Sequence, residues 1–312
     1  MENVSAVTMF TLSGLKFTYM QRMTLFVVTL LWYILILLSN ISMIVVIVTD
    51  KTLHQPMYVF LCNLCINAVY GATGFYPKFL KDLLSTQVIS YAGCMLQGYV
   101  IHSSSCCDFS ILTVMAYDRY VAICRPLVYH TLMSKQRVSL LVFFSWFVPL
   151  YCMFMNTATL LGKELCGSHI NKLYCVNWMV SSLACAPLNA NGIVTAINLA
   201  IYFGHFLFIL WSYLYLMRVC ISSREMWIKF MQTCFPHLIC LLTFAVTLLL
   251  DIFYMRFGSA DLPQDPHNFM TILFLLINPV VNPLIYGFKL TGIRNRVLSI
   301  LHFKKKMSTF AM

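Results

Sequence analysis

Asp118 and Arg119 stand side by side in "MAYDRYVAIC", at the end of an apolar run that Pro126 closes. An arginine at such a place snorkels to the nearest polar surface unless an acid holds it. The adjacent pair therefore reads as a local ion pair that a movement of neighbouring helices would open. A simple helix-end stop signal is the competing reading, and the pair alone leaves both open. Asp108 precedes Arg119 by about three helical turns, roughly 16 Å along the axis, and would point to a similar face. It is the one charged residue placed well inside an apolar run, where a carboxylate is costly and points by default to function. His102, Ser105 and Asp108 would lie on a single helix with no base held by a third group. The chain also lacks G-x-S-x-G, H-E-x-x-H and phosphate-loop patterns. Enzymatic chemistry is not expected.

The elements that must position these residues follow from composition. The 312 residues are 60% hydrophobic and only 10% charged. A soluble domain with so little charge would expose much of its surface as apolar patch, so the chain belongs in a bilayer. About 20 apolar residues span the hydrocarbon core. Seven stretches of that size occur, at 25–48, 57–80, 94–117, 139–160, 193–217, 231–250 and 269–288. The expected fold is an all-α, seven-transmembrane helix bundle: residues 1–24 form an outer tail, 25–290 the bundle, and 291–312 a cytoplasmic segment. No removable signal peptide is evident before the first span. With the N-terminus outside, Lys and Arg fall about two to one on the inner side. The net charge of +11 then reads as topology and attraction to anionic inner-leaflet lipid, not as a nucleic-acid surface.

The longest connection, about 161–192, faces outward and carries Cys166, Cys175 and Cys185, while Cys94 opens the third span. Four cysteines in an oxidising compartment allow three pairings. Cys62 with Cys65, and Cys106 with Cys107, sit within spans with no second pair nearby, so helix packing is expected there and metal binding is not. Of two Asn-x-Ser matches, Asn3 in the outer tail is the glycan acceptor expected, because Asn40 lies too deep in the first span.

"MAYDRYVAIC" at 115–124, "PMY" at 56–58, Ser212 with Tyr213, "TCFPHL" at 233–238 and "NPLIYG" at 282–287 recur in order along nearly the whole chain. Together they resemble the odorant-receptor branch of the rhodopsin-like G-protein-coupled receptors. "FLCNLCIN" and "GFYPKFL" look closer to receptors of fish. The resemblance implies that Arg119 is released on activation to meet the G protein, with Asp118 as its restraining acid and Tyr213 and Tyr286 swinging toward it. His237 resembles the histidine of the sixth helix. Asn40 resembles a first-helix asparagine that bridges to the seventh near Asn282, and Pro283 gives that helix a place to bend. The implied disulfides are Cys94 with Cys175 and Cys166 with Cys185.

A small organic odorant would sit in the outer half of the bundle, among Ile101, His102, Ser105 and Cys106, with Thr195, Asn198, Leu199 and Tyr202 of the fifth span and Leu248, Leu249 and Ile252 of the sixth. Packing roles for His102 and Asn198 compete with ligand contact. Two departures stand out. Ala68 replaces the usual second-helix aspartate, with Asn67 beside it, so a sodium ion held by Asp108 and Asn282 would face one protein charge. No other cofactor is expected. Ala245 in "FAV" replaces a sixth-helix tyrosine, which removes one switch hydroxyl. After "NPLIYG", basic and apolar residues alternate at near-helical spacing, which predicts a short amphipathic helix on the inner membrane face. The expected protein is a multi-pass plasma-membrane receptor of olfactory cilia coupled to the stimulatory, olfactory-type G protein. A receptor for a non-odorant metabolite, or a channel or transporter, is the alternative.

Overall fold

The computed structural model describes residues 7–13, 17–235, 237–246 and 275–285. Its long helices are α1 (Tyr19–Thr49), α2 (Pro56–Leu84), α3 (Tyr91–Cys124), α4 (Lys135–Ala158) and α5 (Asn189–Cys220). The sixth, α6, is described as Arg224–Thr233 and His237–Val246, and α7 as Leu275–Ile285. Asn3, Leu248, Leu249, Ile252, Tyr286 and the expected amphipathic segment at 291–312 lie outside the described residues.

The helices overrun the apolar stretches because hydropathy marks the hydrocarbon core, while hydrogen bonding carries each helix into the headgroup region. Local chemistry sets the ends. Thr18 accepts from the Gln21 backbone while the Gln21 side chain accepts from the Thr18 backbone, a capping box that starts α1. Pro56 opens α2, where its missing N–H costs nothing.

Among the described helices, α1, α2, α4 and α5 are long and apolar enough to cross a membrane by themselves. The longest, α3, is too polar to qualify, and its position explains why. It packs against α2, α4 and α5, so Gln97, Ser103, Ser104, Ser110 and Asp118 are buried by protein instead of meeting lipid. The main apolar core lies around its second half, with Ile111, Leu112 and Met115 against Phe60, Leu61 and Leu64 of α2 and Leu216 of α5. Cys62, Cys65 and Cys107 are buried in this same packing.

Within the outer tail expected at 1–24, the described residues take up defined structure. Tyr19 already belongs to α1, and β1 (Met9–Leu12) is the middle strand of a small sheet of order β2-β1-β3. It runs antiparallel to β2 (Val88–Ser90) and parallel to β3 (His169–Ile170). The side chain of His169 ties the pairing together, with Nδ1 3.0 Å from Thr11 Oγ1 and Nε2 3.2 Å from Ser13 Oγ. Beside it, disulfides join Cys94 to Cys175 and Cys166 to Cys185. The first fixes the start of α3 to the long connection; the second closes a loop within it.

Candidate functional site

The polar residues singled out in the sequence gather at two levels of α3, one on the side of the disulfides and one at the opposite end, near Arg119.

Near mid-helix, Asn67 takes the place expected of the missing second-helix acid. Its Nδ2 donates to Asp108 Oδ1 and to the Ser104 carbonyl, both at 2.8 Å. A close approach of α2 to α3 makes this contact: a Cβ on Gly71 would stand 2.2 Å from Ser104 Oγ, so a larger residue there would have to displace Ser104. Asp108 also lines a cavity of about 40 Å³ of water-accessible space with Ala68, Ile101, Ser104, Ser105, Tyr76, Leu275 and Asn278. Asn67 Oδ1 is buried without a hydrogen-bond partner. A carboxylate, hydroxyls and the Asn278 amide around a space of water size are the hard donors that suit water or a cation such as sodium. Asn282 is buried but does not line this cavity; Asn278, one turn before it, does.

The expected ligand contacts fall on two stripes of α3, not one. Ile101, Ser105 and Asp108 share one face and line the cavity toward α2 and α7. His102, Cys106 and Phe109 form the adjacent stripe, as their spacing on a helix requires. His102 contacts the Gly98 carbonyl through Nδ1 at 2.7 Å and faces the Tyr174 ring. Cys106 lies beside Tyr202 of α5, whose buried hydroxyl has no other partner among the described residues. Phe109 stacks on Phe244 of α6 at 5.8 Å and meets Tyr202 and His205. Ala245, where a tyrosine was usual, adds no hydroxyl here.

Asn198 and Thr195 are turned to another task. Asn198 donates to the Cys152 carbonyl of α4, and Thr195 accepts from Asn156, itself bonded by Asn177 of the long connection. Asn191 completes this buried seam with bonds to the Asn156 carbonyl and Thr159 Oγ1. Their polar atoms thus join α4, α5 and the connection above them. Hydropathy could not separate a donor aimed at a neighbouring helix from one aimed at a ligand.

At the far end, Asp118 is fully buried and paired with Arg119, whose Nε donates to Oδ2 at 3.0 Å. The sequence reading missed the third member. Tyr129, in the single helical turn Tyr129–Leu132 after Pro126, donates its hydroxyl to Asp118 Oδ1 at 2.8 Å. Its tyrosine-proline spacing offered no signal, since the turn back from α3 is what returns the phenol to Asp118. Burial raises the Tyr129 phenol above the ordinary tyrosine range and the Asp118 carboxylate raises it further, so it stays a donor.

Tyr213 of α5 is hydrogen-bonded to His237 Nδ1 of α6, with the two rings 5.7 Å apart. Both are buried, and both lie within reach of the Arg119 charge. Arg119, Tyr213 and His237 are thus brought together by α3, α5 and α6. Asn40 donates to the Pro279 carbonyl of α7 at 2.9 Å, one turn from the expected contact at Asn282. The reason is Pro283: lacking an N–H, it leaves the carbonyl four residues before it without a helical partner, and Asn40 supplies one. Among the described residues no group of three metal-binding side chains forms.

Residues 29–304 match the family model described as olfactory receptor. The chain is 33% identical over 286 residues to human "Olfactory receptor 52D1", covering 88% of this chain and 87% of that one. It is 32% identical over 310 residues to mouse "Olfactory receptor 2A7", with 98% and 99% covered. With mouse "Olfactory receptor 5AR1" it shares 34% over 294 residues, 92% and 94% of the two chains.

Proposed function

This chain belongs to the olfactory receptor family of rhodopsin-like G-protein-coupled receptors, and from that we propose that it binds a small organic odorant and activates the stimulatory, olfactory-type G protein. The observation that carries the reading is the arrangement along α3. One helix joins a polar cavity at Asp108 to a held arginine at Arg119, and the arginine is beside the α5–α6 pair Tyr213 and His237. A ligand that shifts α3 against its neighbours in the disulfide-side half would alter the fit around Arg119 at the other end.

The N-terminus is outside in this reading. Support comes from β1, which lies beside both disulfides, bonds that persist in an oxidising compartment. The cell is an olfactory neuron and the membrane that of its cilia. A fish-type subgroup rests on "FLCNLCIN" and "GFYPKFL" alone, and the relatives named above are mammalian.

Expressed with the olfactory G protein and challenged with a panel of volatiles, the receptor should raise cyclic AMP, and Arg119→Ala should bring the response to background at near-normal surface level. A full response in that variant would defeat the assignment. Sodium at Asp108 acts weakly, because one carboxylate faces it. Asp108→Asn should raise basal cyclic AMP per surface receptor and remove the small change that replacing sodium by a large organic cation causes in the parent. Equal basal signal in all four conditions would leave Asp108 a structural residue.

A further inference from the structure

Pro279 and Pro283 stand four residues apart in α7. In an unbroken helix the N–H of residue 283 would bond the carbonyl of 279, and the N–H of 279 the carbonyl of 275. Prolines have neither N–H, and a carbonyl left unpaired inside a bilayer costs free energy. Asn40 takes the first freed carbonyl, that of Pro279. The second, that of Leu275, accepts from the Tyr76 hydroxyl of α2 at 3.4 Å. One residue on, the Leu276 carbonyl, whose helical donor would be the Val280 N–H, also accepts from Trp32 Nε1 of α1 at 3.1 Å.

Tyr76 is 1% exposed, and its ring stacks on Tyr33 of α1 at 5.0 Å with only 9° between the planes. The phenol is therefore held where it is by packing, and its hydroxyl is aimed. We infer that Tyr76 is a positioning residue that, with Asn40, supplies the donors α7 lacks, and that Trp32 adds a further tie, so that together they hold that helix against α1 and α2 in the resting receptor. Tyr76 and Leu275 also line the Asp108 cavity. The 3.4 Å contact, long for a hydroxyl donor, is the one that gives way first. The signalling consequence rests on the receptor reading; the bonds to α7 do not.

The test uses purified receptor and follows hydrogen exchange of residues 275–285 in the parent, Tyr76→Phe, Pro279→Ala and the double variant. Tyr76→Phe keeps the ring and loses the donor, so exchange should quicken about 3- to 10-fold, the factor that one net hydrogen bond implies. Pro279→Ala returns a backbone N–H to the Leu275 carbonyl, and in that background Tyr76→Phe should change nothing further. Trp32→Phe, which also keeps a ring, should quicken the same segment independently. No acceleration, or equal acceleration by Tyr76→Phe in both backgrounds, would overturn the inference. Basal G-protein nucleotide exchange should rise with it. If hydrogen exchange quickens while basal signal stays at the parent level, the bonds to α7 stand and their bearing on signalling is overturned, and the odorant response of the same variant reports separately on the receptor reading.

Discussion

The two ends of α3 are held by different kinds of bond. At its start, Cys94 is joined covalently to Cys175, and a three-stranded sheet lies over the junction. At its finish, Asp118 is held by Arg119 and by one phenol from Tyr129, with no covalent tie. Breaking a disulfide needs a reductant, whereas the second arrangement opens when a helix shifts. Burial is equal: Cys94 and Asp118 are both fully enclosed. On the proposed function, what would separate a scaffold from a switch is thus the type of bond and not how deeply it is placed.

The largest effect expected from breaking this contrast is at the covalent end. Cys94→Ser removes a bridge between residues 81 apart in sequence, and loss of such a bond costs about 2 to 5 kcal/mol. Surface receptor, read by antibody on intact cells, should fall to a small fraction of the parent. Cys166→Ser opens a loop of only 19 residues, so its loss should be milder, by about 1 kcal/mol in the chain-entropy account. Equal losses would show that the two bridges act as one unit.

At the opposite end the same experiment should give the reverse pattern, with surface level kept and signal changed. Asp118→Asn leaves Arg119 beside a neutral amide, and basal cyclic AMP per surface receptor should rise severalfold. Unchanged basal signal would mean the ion pair restrains nothing. Tyr129→Phe removes one hydrogen bond to a charged acceptor while Arg119 keeps its partner, so the rise should be smaller, about 2- to 5-fold, within what one such bond supplies. The raised phenol keeps its proton below the ordinary tyrosine range and above it, so this contribution is complete at neutral pH and would fade only in strong alkali. The ratio of basal signal between Tyr129→Phe and parent should be flat from pH 6 to 8.5; a slope would move the restraint to another group.

Much of the frame could be read from hydropathy because a bilayer demands it. Each span had to be apolar over a fixed length, and α1, α2, α4 and α5 follow that demand. The middle of α3 was legible for the opposite reason, since Asp108 and Arg119 have no place in lipid and had to face protein. What could not be read was direction. Asn198, Thr195 and Tyr202 lie on one helix within two turns, yet the first two bond to α4 and its neighbours while the third faces Cys106. A polar side chain announces that it needs a partner and is silent about which one. Tyr129 and β1 escaped for a related reason: each is short, makes its contact with residues far along the chain, and carries no periodicity of its own. Asn40 came closest to being placed, and only the proline rule shows why its partner is the carbonyl of Pro279.

The order of strands in the small sheet bears on how the receptor is made. β1 leaves the ribosome before either of its partners, yet it is the middle strand, and those partners begin at Val88 and His169. At roughly 5 to 20 residues per second, the second partner emerges on the order of ten to thirty seconds later. Through that interval the segment must wait unpaired, while four helices follow behind it. A fusion tag placed directly before β1 would lengthen a tether during this wait and crowd both of its edges afterwards, so yield at the cell surface would depend on the spacer between tag and strand more than on the tag itself.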